Sequence, residues 1–169
     1  MAMNGIEQLC PNCGLCCDST LFADVELRAD DDAKRLKKLG LTLEAKGRGK
    51  LAFAQPCACF EGKLCSIYHD RPMRCRTFEC GLLKRVEANE MTPNAALKKI
   101  SAAKNQAEKV RGLLRSLGQR DEKIALTHRY AAAMSAPINL AEETNAERYG
   151  ELMLAVNDLM TRLQRDFLR

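Results

Sequence analysis

The sequence predicts an α+β protein that is mostly helical: a small, irregular, cysteine-rich module with a short hairpin, followed by a three-helix antiparallel bundle. Two observations lead to this fold class. All nine cysteines lie between Cys10 and Cys80. Beyond residue 90, apolar side chains recur every three or four residues, which is the period of an amphipathic helix. We therefore expect one unit at residues 1–90 and a second at residues 91–169.

Between the cysteine clusters, the first unit contains secondary structure of its own. Asp30 to Leu39 reads as a short helix, and Gly40 suits the position that follows a helix. Leu41 to Lys46 and Lys50 to Ala54 alternate in character around Gly47-Arg48-Gly49. This pattern predicts a small hairpin.

The second unit divides into three predicted helices. Thr92 before Pro93 marks the start of the first, which continues to Gly118. The second is expected from near Asp121 to just before Pro137. The third is expected to begin at Thr144. Its apolar stripe, predicted to face the core, comprises Tyr149, Leu152, Met153, Val156, Leu159, Met160, Leu163 and Phe167.

The cysteine content is informative because of the compartment that the sequence suggests. Residues 1–9 lack the basic start and apolar run of an export signal, and no stretch approaches the roughly 18 apolar residues of a membrane span. We therefore expect a cytoplasmic protein that does not enter a membrane. Cytosolic thiols stay reduced, so closely spaced cysteines there indicate metal binding rather than disulfides.

The first cysteine cluster reads Cys10-Pro-Asn-Cys13-Gly-Leu-Cys16-Cys17. A two-residue spacing lets a tight turn aim two thiolates at one ion. Side chains of adjacent residues diverge, however, so Cys16 and Cys17 are expected to serve different sites, unless one of them is a bridge or a spare. The second cluster consists of Cys57, Cys59, Cys65, Cys75 and Cys80. Structural zinc takes four ligands, so eight of the nine cysteines could fill two closed sites.

The net charge of +5 fits this interpretation. Eight thiolates around two Zn²⁺ ions carry four net negative charges, which leaves the chain near neutrality at about +1. We therefore do not expect nucleic acid as a partner. Arg71, Arg74 and Arg76 surround Cys75 and either compensate the thiolates, with Arg71 favoured, or lie solvated at the surface.

The two cysteine motifs together resemble a known family. CxxCxxCC is followed by Cys65-x-Ile-Tyr-x-x-Arg-Pro-x-x-Cys75-Arg-x-Phe78, which is similar to the bacterial CxxCxxCC cysteine-cluster family of zinc- or iron-chelating domains. The resemblance covers about Cys10 to Phe78. It implies metal chelation by Cys10, Cys13, Cys16, Cys17, Cys59, Cys65 and Cys75, and it leaves Cys57 and Cys80 open.

Several functions are compatible with these residues. The favoured hypothesis is zinc chelation, with up to two ions, in a structural role or in a module that binds a protein partner through the helical bundle. The alternative is an iron or iron-sulfur protein with redox activity, because Cys10, Cys13 and Cys16 have the spacing of three ferredoxin ligands. The resemblance of the cysteine cluster to that of flagellin lysine methylases adds methyl-transfer-related activity to this alternative. A third is metal trafficking or redox sensing through Cys17, Cys57 or Cys80.

Enzymatic chemistry beyond the metal is not expected. The sequence offers no catalytic triad and no phosphate-binding glycine loop, so we assign no catalytic residue and no organic cofactor. His69 follows Cys65 by four residues and is expected at the surface or in a hydrogen bond rather than as a ligand.

Overall fold

The computed structural model describes residues 9–62, 64–137 and 143–169. They form an α+β fold that is mostly helical, as predicted, with helices outnumbering short antiparallel strands. In chain order the elements are α1 (Leu9–Cys13), β1 (Asp24–Glu26), α2 (Ala33–Lys38), β2 (Glu44–Lys46), β3 (Lys50–Ala54), β4 (Phe60–Glu61), β5 (Leu64–Cys65), a 3₁₀ turn (Tyr68–Asp70), α3 (Met73–Thr77), α4 (Gly81–Glu87), α5 (Pro93–Ser116), α6 (Leu126–Ser135) and α7 (Glu143–Asp166).

The predicted hairpin is confirmed. Strands β2 and β3 pair antiparallel with Ala45 opposite Leu51, and the connecting Arg48 and Gly49 take left-handed backbone angles of φ 65° and 72°. Strand β1 extends the sheet on the other side of β3, placing Val25 opposite Phe53. The sequence analysis missed β1 because three residues are too few to show an alternating pattern.

The predicted short helix is confirmed as α2, which starts later and ends one residue earlier than predicted. The Asp32 side chain caps it by accepting a hydrogen bond from the Arg35 backbone N–H at 3.0 Å. Gly40 follows the helix with φ 104°, and a glycine with a positive φ is common at this position. The helix contributes to a small core beside the sheet, whose buried members are Leu36, Leu41, Phe53, Cys59 and Ile67.

The first long helix, α5, matches its prediction closely. The Thr92 hydroxyl accepts a hydrogen bond from the Ala95 backbone N–H at 3.2 Å, and Gly118 lies just beyond the end with φ 86°. Helix α6 begins at Leu126 rather than near Asp121. The Asp121 side chain instead accepts a hydrogen bond from the Lys123 backbone N–H at 2.9 Å, which stabilises a turn in place of a first helical turn.

A larger core lies around α5, which packs against α1, α4, α6 and α7. Leu9 and Leu15, from the cysteine-rich half, belong to this core together with Val110 and Leu114 of α5. The start of the chain as described here is therefore packed directly onto the helical half.

Helix α7 departs from the predicted stripe. Leu152, Leu159 and Leu163 are buried, as expected. Met153 and Met160 were predicted to face the core, but they are 51% and 40% exposed. The main packing partner of α7 is α5, which covers a narrower face than the sequence pattern suggested. In the described part of the chain, no helix combines the length and the apolar character needed to cross a bilayer.

Candidate metal centre

The CxxCxxCC motif forms a short helix and a turn. Helix α1 carries Cys10 and Cys13 three residues apart, so both lie on one face. Gly14 then reverses the chain with φ 77°, and its carbonyl accepts hydrogen bonds from the backbone N–H groups of Cys17 at 2.8 Å and Asp18 at 3.0 Å. A Cβ at Gly14 would lie 2.6 Å from Cζ of Phe60. Only glycine combines this backbone angle with so close an approach.

Helix α5 holds this segment in place. Arg111 donates to the carbonyl of Asp18 at 3.1 Å and to Oγ1 of Thr20 at 2.9 Å. It also pairs with the Asp18 carboxylate at 3.2 Å. Lys104 donates to the carbonyl of Asn12 at 3.2 Å. The sequence pattern indicates neither residue, because charged side chains beside the buried face of a helix are usually solvated.

Cys80 packs against the same helical core as Cys13. It directly precedes α4, whose Leu82 and Val86 belong to the helical core. Cys13 and Cys80 are both half-buried against that core. The structure therefore brings Cys80 to the cysteines of α1, although more than sixty residues separate them along the chain.

Cys57, Cys65 and Cys75 lie against the smaller core instead. The Cys57 backbone N–H donates to the carbonyl of Cys17 at 2.8 Å, which ties the second cluster to the end of the CxxCxxCC motif. Cys65 lies on β5 opposite Phe60 of β4, and Cys75 lies in α3. Cys17 is thus the residue of the first motif that belongs with the second cluster.

Cys59 differs from the other eight cysteines because it is a core residue. Its side chain is 3% exposed among Leu36, Leu41, Phe53 and Ile67. Its thiol donates a hydrogen bond to the carbonyl of Leu39 at 3.6 Å, and its own carbonyl accepts one from the Ser66 backbone N–H at 2.9 Å. These contacts fix Cys59 as part of the packing of the small module.

The electrostatics of the thiols follow the same division. Burial raises the pKa of Cys13 to about 12 and raises the pKa values of Cys10 and Cys16 as well, and the neighbouring Cys80 thiol adds to the rise in all three. Burial likewise raises the pKa values of Cys17, Cys57 and Cys75 to about 12, with Cys65 adding to each. Thiolates crowded in this way need a compensating cation.

Arg71 lies between the two groups of thiols. Its Nε donates to the carbonyl of Tyr68 at 2.8 Å, and its guanidinium carbon lies 3.7 Å from the centre of the Tyr68 ring. Its charge opposes the effect of burial on the thiol pKa values of Cys10, Cys17 and Cys75. This agrees with the expectation that Arg71 compensates the cysteine cluster.

The nine thiols suit a soft metal ion in their chemistry. All of them are free, and thiolates are the ligands that zinc and iron-sulfur clusters prefer. Within residues 9–62, 64–137 and 143–169, however, no three Cys, His, Asp or Glu side chains are placed so that they could hold one ion together. The thiols are therefore gathered into neighbourhoods without being at coordination distance.

His69 lies outside both neighbourhoods. It is exposed, as expected, and lines an open cavity of about 170 Å³ together with Asp30, Asp31, Asp70 and Arg71. Asp31 accepts hydrogen bonds from the backbone N–H groups of Arg28 and Met73, and Asp70 pairs with Arg35. Asp31 and Asp70 thus have structural partners.

A family model describes residues 9–110 as "CxxCxxCC: Putative zinc- or iron-chelating domain". The chain belongs to this family. The match covers more than half of the chain and extends beyond the cysteine motifs into α5, the helix that holds the CxxCxxCC segment. No curated protein and no solved structure matched the chain.

Proposed function

We propose that the protein chelates metal through its cysteine thiolates, that the metal is zinc, and that the chain takes up to two ions. The observation that carries this proposal is the gathering of free, mostly half-buried thiols from distant parts of the chain into two neighbourhoods. The candidates for ligation are the nine cysteines: the resemblance implies Cys10, Cys13, Cys16, Cys17, Cys59, Cys65 and Cys75, and Cys57 and Cys80 are further candidates.

The role of the metal in this proposal is structural. The small core has five buried members, one of them Cys59, so it offers little apolar area to offset chain entropy. Metal binding then supplies much of the folding free energy of a cysteine-rich module at residues 1–90. The helical bundle at residues 91–169 binds a protein partner. The exposed apolar side chains of α7, Met153, Leu154 and Met160, favour such a contact.

An iron-sulfur cluster is the second candidate. Cys10, Cys13 and Cys16 have the spacing of three ferredoxin ligands, and Cys80, which packs against the same core as Cys13, is the candidate for a fourth from far along the chain. Such a cluster would support electron transfer or methyl-transfer-related chemistry in the cytoplasm. The zinc proposal takes precedence because the division of the thiols into two neighbourhoods favours two sites of four thiolates each, the closed kind of site that zinc forms.

Purification of the protein both with and without oxygen distinguishes these candidates. Elemental analysis and the visible absorption spectrum are measured on each sample. A colourless protein with about two zinc ions per chain in both samples fits the proposal. If the sample purified without oxygen is brown and contains iron and inorganic sulfide, and the sample purified with oxygen does not, the result supports the cluster instead. A chain that contains neither metal contradicts both.

A further inference from the structure

We propose that eight of the nine cysteines form two separate four-thiolate metal sites and that Cys59 binds no metal. The helix-side site consists of Cys10, Cys13, Cys16 and Cys80. The sheet-side site consists of Cys17, Cys57, Cys65 and Cys75. This assignment rests on the proposed function and goes beyond it by allocating each thiol.

The helix-side site combines one face of α1 with the start of α4. Cys10 and Cys13 lie one helical turn apart on α1, and Cys16 follows in the turn that Gly14 begins. Cys13 and Cys80 pack against the same helical core. Both segments are anchored, since α1 packs on α5 and the Gly81 backbone N–H donates to the carbonyl of Phe167 at 2.9 Å.

The sheet-side site combines four short segments around the small core. The hydrogen bond from Cys57 to the carbonyl of Cys17 joins two of its ligands through the backbone. Cys57, Cys65 and Cys75 pack against one and the same core cluster. The segments that carry Cys57, Cys65 and Cys75 are therefore grouped with Cys17, and α1 contributes no residue to this site.

The adjacent residues Cys16 and Cys17 separate the two sites. Neighbouring side chains diverge, which makes it difficult for both to ligate one ion in a tight turn. In the structure Cys16 follows Cys13 in the turn that Gly14 begins, whereas the carbonyl of Cys17 accepts a hydrogen bond from the backbone N–H of Cys57 in the second cluster. A single peptide bond thus joins the two sites.

Cys59 is excluded because its side chain already has a packing role. It is enclosed in the small core, and its thiol is hydrogen-bonded to the carbonyl of Leu39. Ligation would withdraw the sulfur from this core, whereas Cys57, two residues earlier, is only half-buried. Four thiolates complete a tetrahedral zinc site without it.

Binding requires the thiols of each site to approach one another. Each cysteine sulfur has three staggered positions about the Cα–Cβ bond. A change of rotamer would move a sulfur towards its neighbours while the backbone hydrogen bonds are kept, and we expect the metal-loaded protein to hold the rotamers that converge.

Cadmium-113 NMR of the cadmium-loaded full chain tests the assignment. The unmutated chain is expected to give two signals, one for each site. Cys80→Ser and Cys10→Ser are expected to shift or abolish one signal, and Cys57→Ser and Cys75→Ser the other. Cys59→Ser is the control and is expected to keep two signals and two bound ions. The assignment is overturned if Cys59→Ser abolishes a signal and lowers the number of bound ions, or if Cys80→Ser and Cys57→Ser affect the same signal.

A second measurement needs no variant and stays decisive if a variant fails to fold. X-ray absorption at the zinc edge of the unmutated chain is expected to give four sulfur neighbours per ion at about 2.3 Å and no nitrogen or oxygen. Mixed sulfur and nitrogen or oxygen ligation overturns the assignment, while the proposed function survives. An unmutated chain that binds neither zinc nor cadmium contradicts the proposed function itself.

Discussion

The positive charge of Arg71 acts on thiols of both groups. The carbonyl and the ring of Tyr68 hold its guanidinium group. From there its charge acts on Cys10 of one group and on Cys17 and Cys75 of the other. Its contribution is therefore expected at both proposed sites rather than at one.

Replacement of Arg71 by glutamine is expected to weaken metal binding about fivefold at each site, which corresponds to about 1 kcal/mol for a partly exposed charge. The variant keeps a polar side chain of similar length and loses the charge. Competition with a chromophoric zinc chelator at low salt measures the effect. Arg120→Gln removes an exposed arginine of the helical half and serves as the control. Equal affinities for Arg71→Gln and the unmutated chain would contradict the role of this charge.

Asp166 is a second residue with an unusual environment, far from the cysteines in the sequence. It is 3% exposed at the end of α7. It accepts hydrogen bonds from Lys99 at 2.9 Å and from Arg165 at 2.7 Å, and Arg85 approaches its carboxylate at 3.4 Å. Burial opposes ionisation of Asp166, but the hydrogen bonds from Arg165 and Lys99 outweigh it and lower the pKa well below its ordinary value.

Asp166→Asn is accordingly expected to lower the free energy of unfolding at pH 7 by about 1–3 kcal/mol. Because the folded pKa is depressed, this stabilisation is complete above the ordinary aspartate pKa of about 4 and is lost as the pH falls towards the folded value. Urea unfolding at a series of pH values should therefore show the two chains converging in acid. Asp158→Asn, in an exposed pair with Arg162, should change stability by less than about 0.5 kcal/mol. A constant difference across all pH values would contradict this assignment.

At the scale of the element, Gly81 connects α4 to the residues at the end of α7 and just after it. Its backbone N–H donates to the carbonyl of Phe167 at 2.9 Å. A Cβ at this position would lie 3.0 Å from the carbonyl oxygen of Asp166 and would clash with that of Arg169. Because Cys80 immediately precedes Gly81, this contact positions a proposed ligand as well as a helix.

Gly81→Ala is expected to destabilise the protein by about 1–3 kcal/mol, because backbone atoms must move to admit the methyl group. Gly112→Ala is the matched control in α5, where a Cβ meets nothing closer than the Arg115 guanidinium at 3.8 Å. That variant should instead stabilise the helix by about 0.5–1 kcal/mol. Thermal unfolding measures both. If the two variants shift the midpoint in the same direction, the docking of α4 is not as described.

The long elements could be predicted from the sequence because their signals are local. Thr92, Pro93 and Gly118 define α5, and the glycines between β2 and β3 define the hairpin. The two-residue strands β4 and β5 carry no periodic signal. Met153 and Met160 were assigned to the core wrongly, because a sequence pattern does not reveal how many neighbours a helix has.

The cysteine site was predictable in its chemistry but not in its grouping. Spacing within a motif indicates thiols that can share an ion, and the adjacency of Cys16 and Cys17 predicts that these two serve different sites. Cys80 was left open because its relation to α1 depends on the packing of α4 and α5, which no local pattern encodes. Cys57 and Cys59 could not be distinguished, since only the structure shows that Cys59 is enclosed in the small core whereas Cys57 packs against it half-buried.

At the scale of the whole molecule, two parts of the cysteine-rich region pack against cores of different size. Leu9 and Leu15 are buried in the large helical core, and Arg111 ties the segment after α1 to α5. The region of the small sheet has only its own five-residue core. Loss of metal is therefore expected to unfold the sheet-side region first and to leave the helical core largely folded.

Thiol alkylation of the metal-loaded protein, followed by intact mass measurement, tests the central claim of thiolate chelation most directly. Without a chelator, the thiols are expected to resist iodoacetamide, because metal holds eight of them and the small core encloses Cys59. Addition of a strong chelator should release the metal and allow the eight proposed ligands to react within the same period. Equal alkylation with and without the chelator would contradict the claim that these cysteines hold metal.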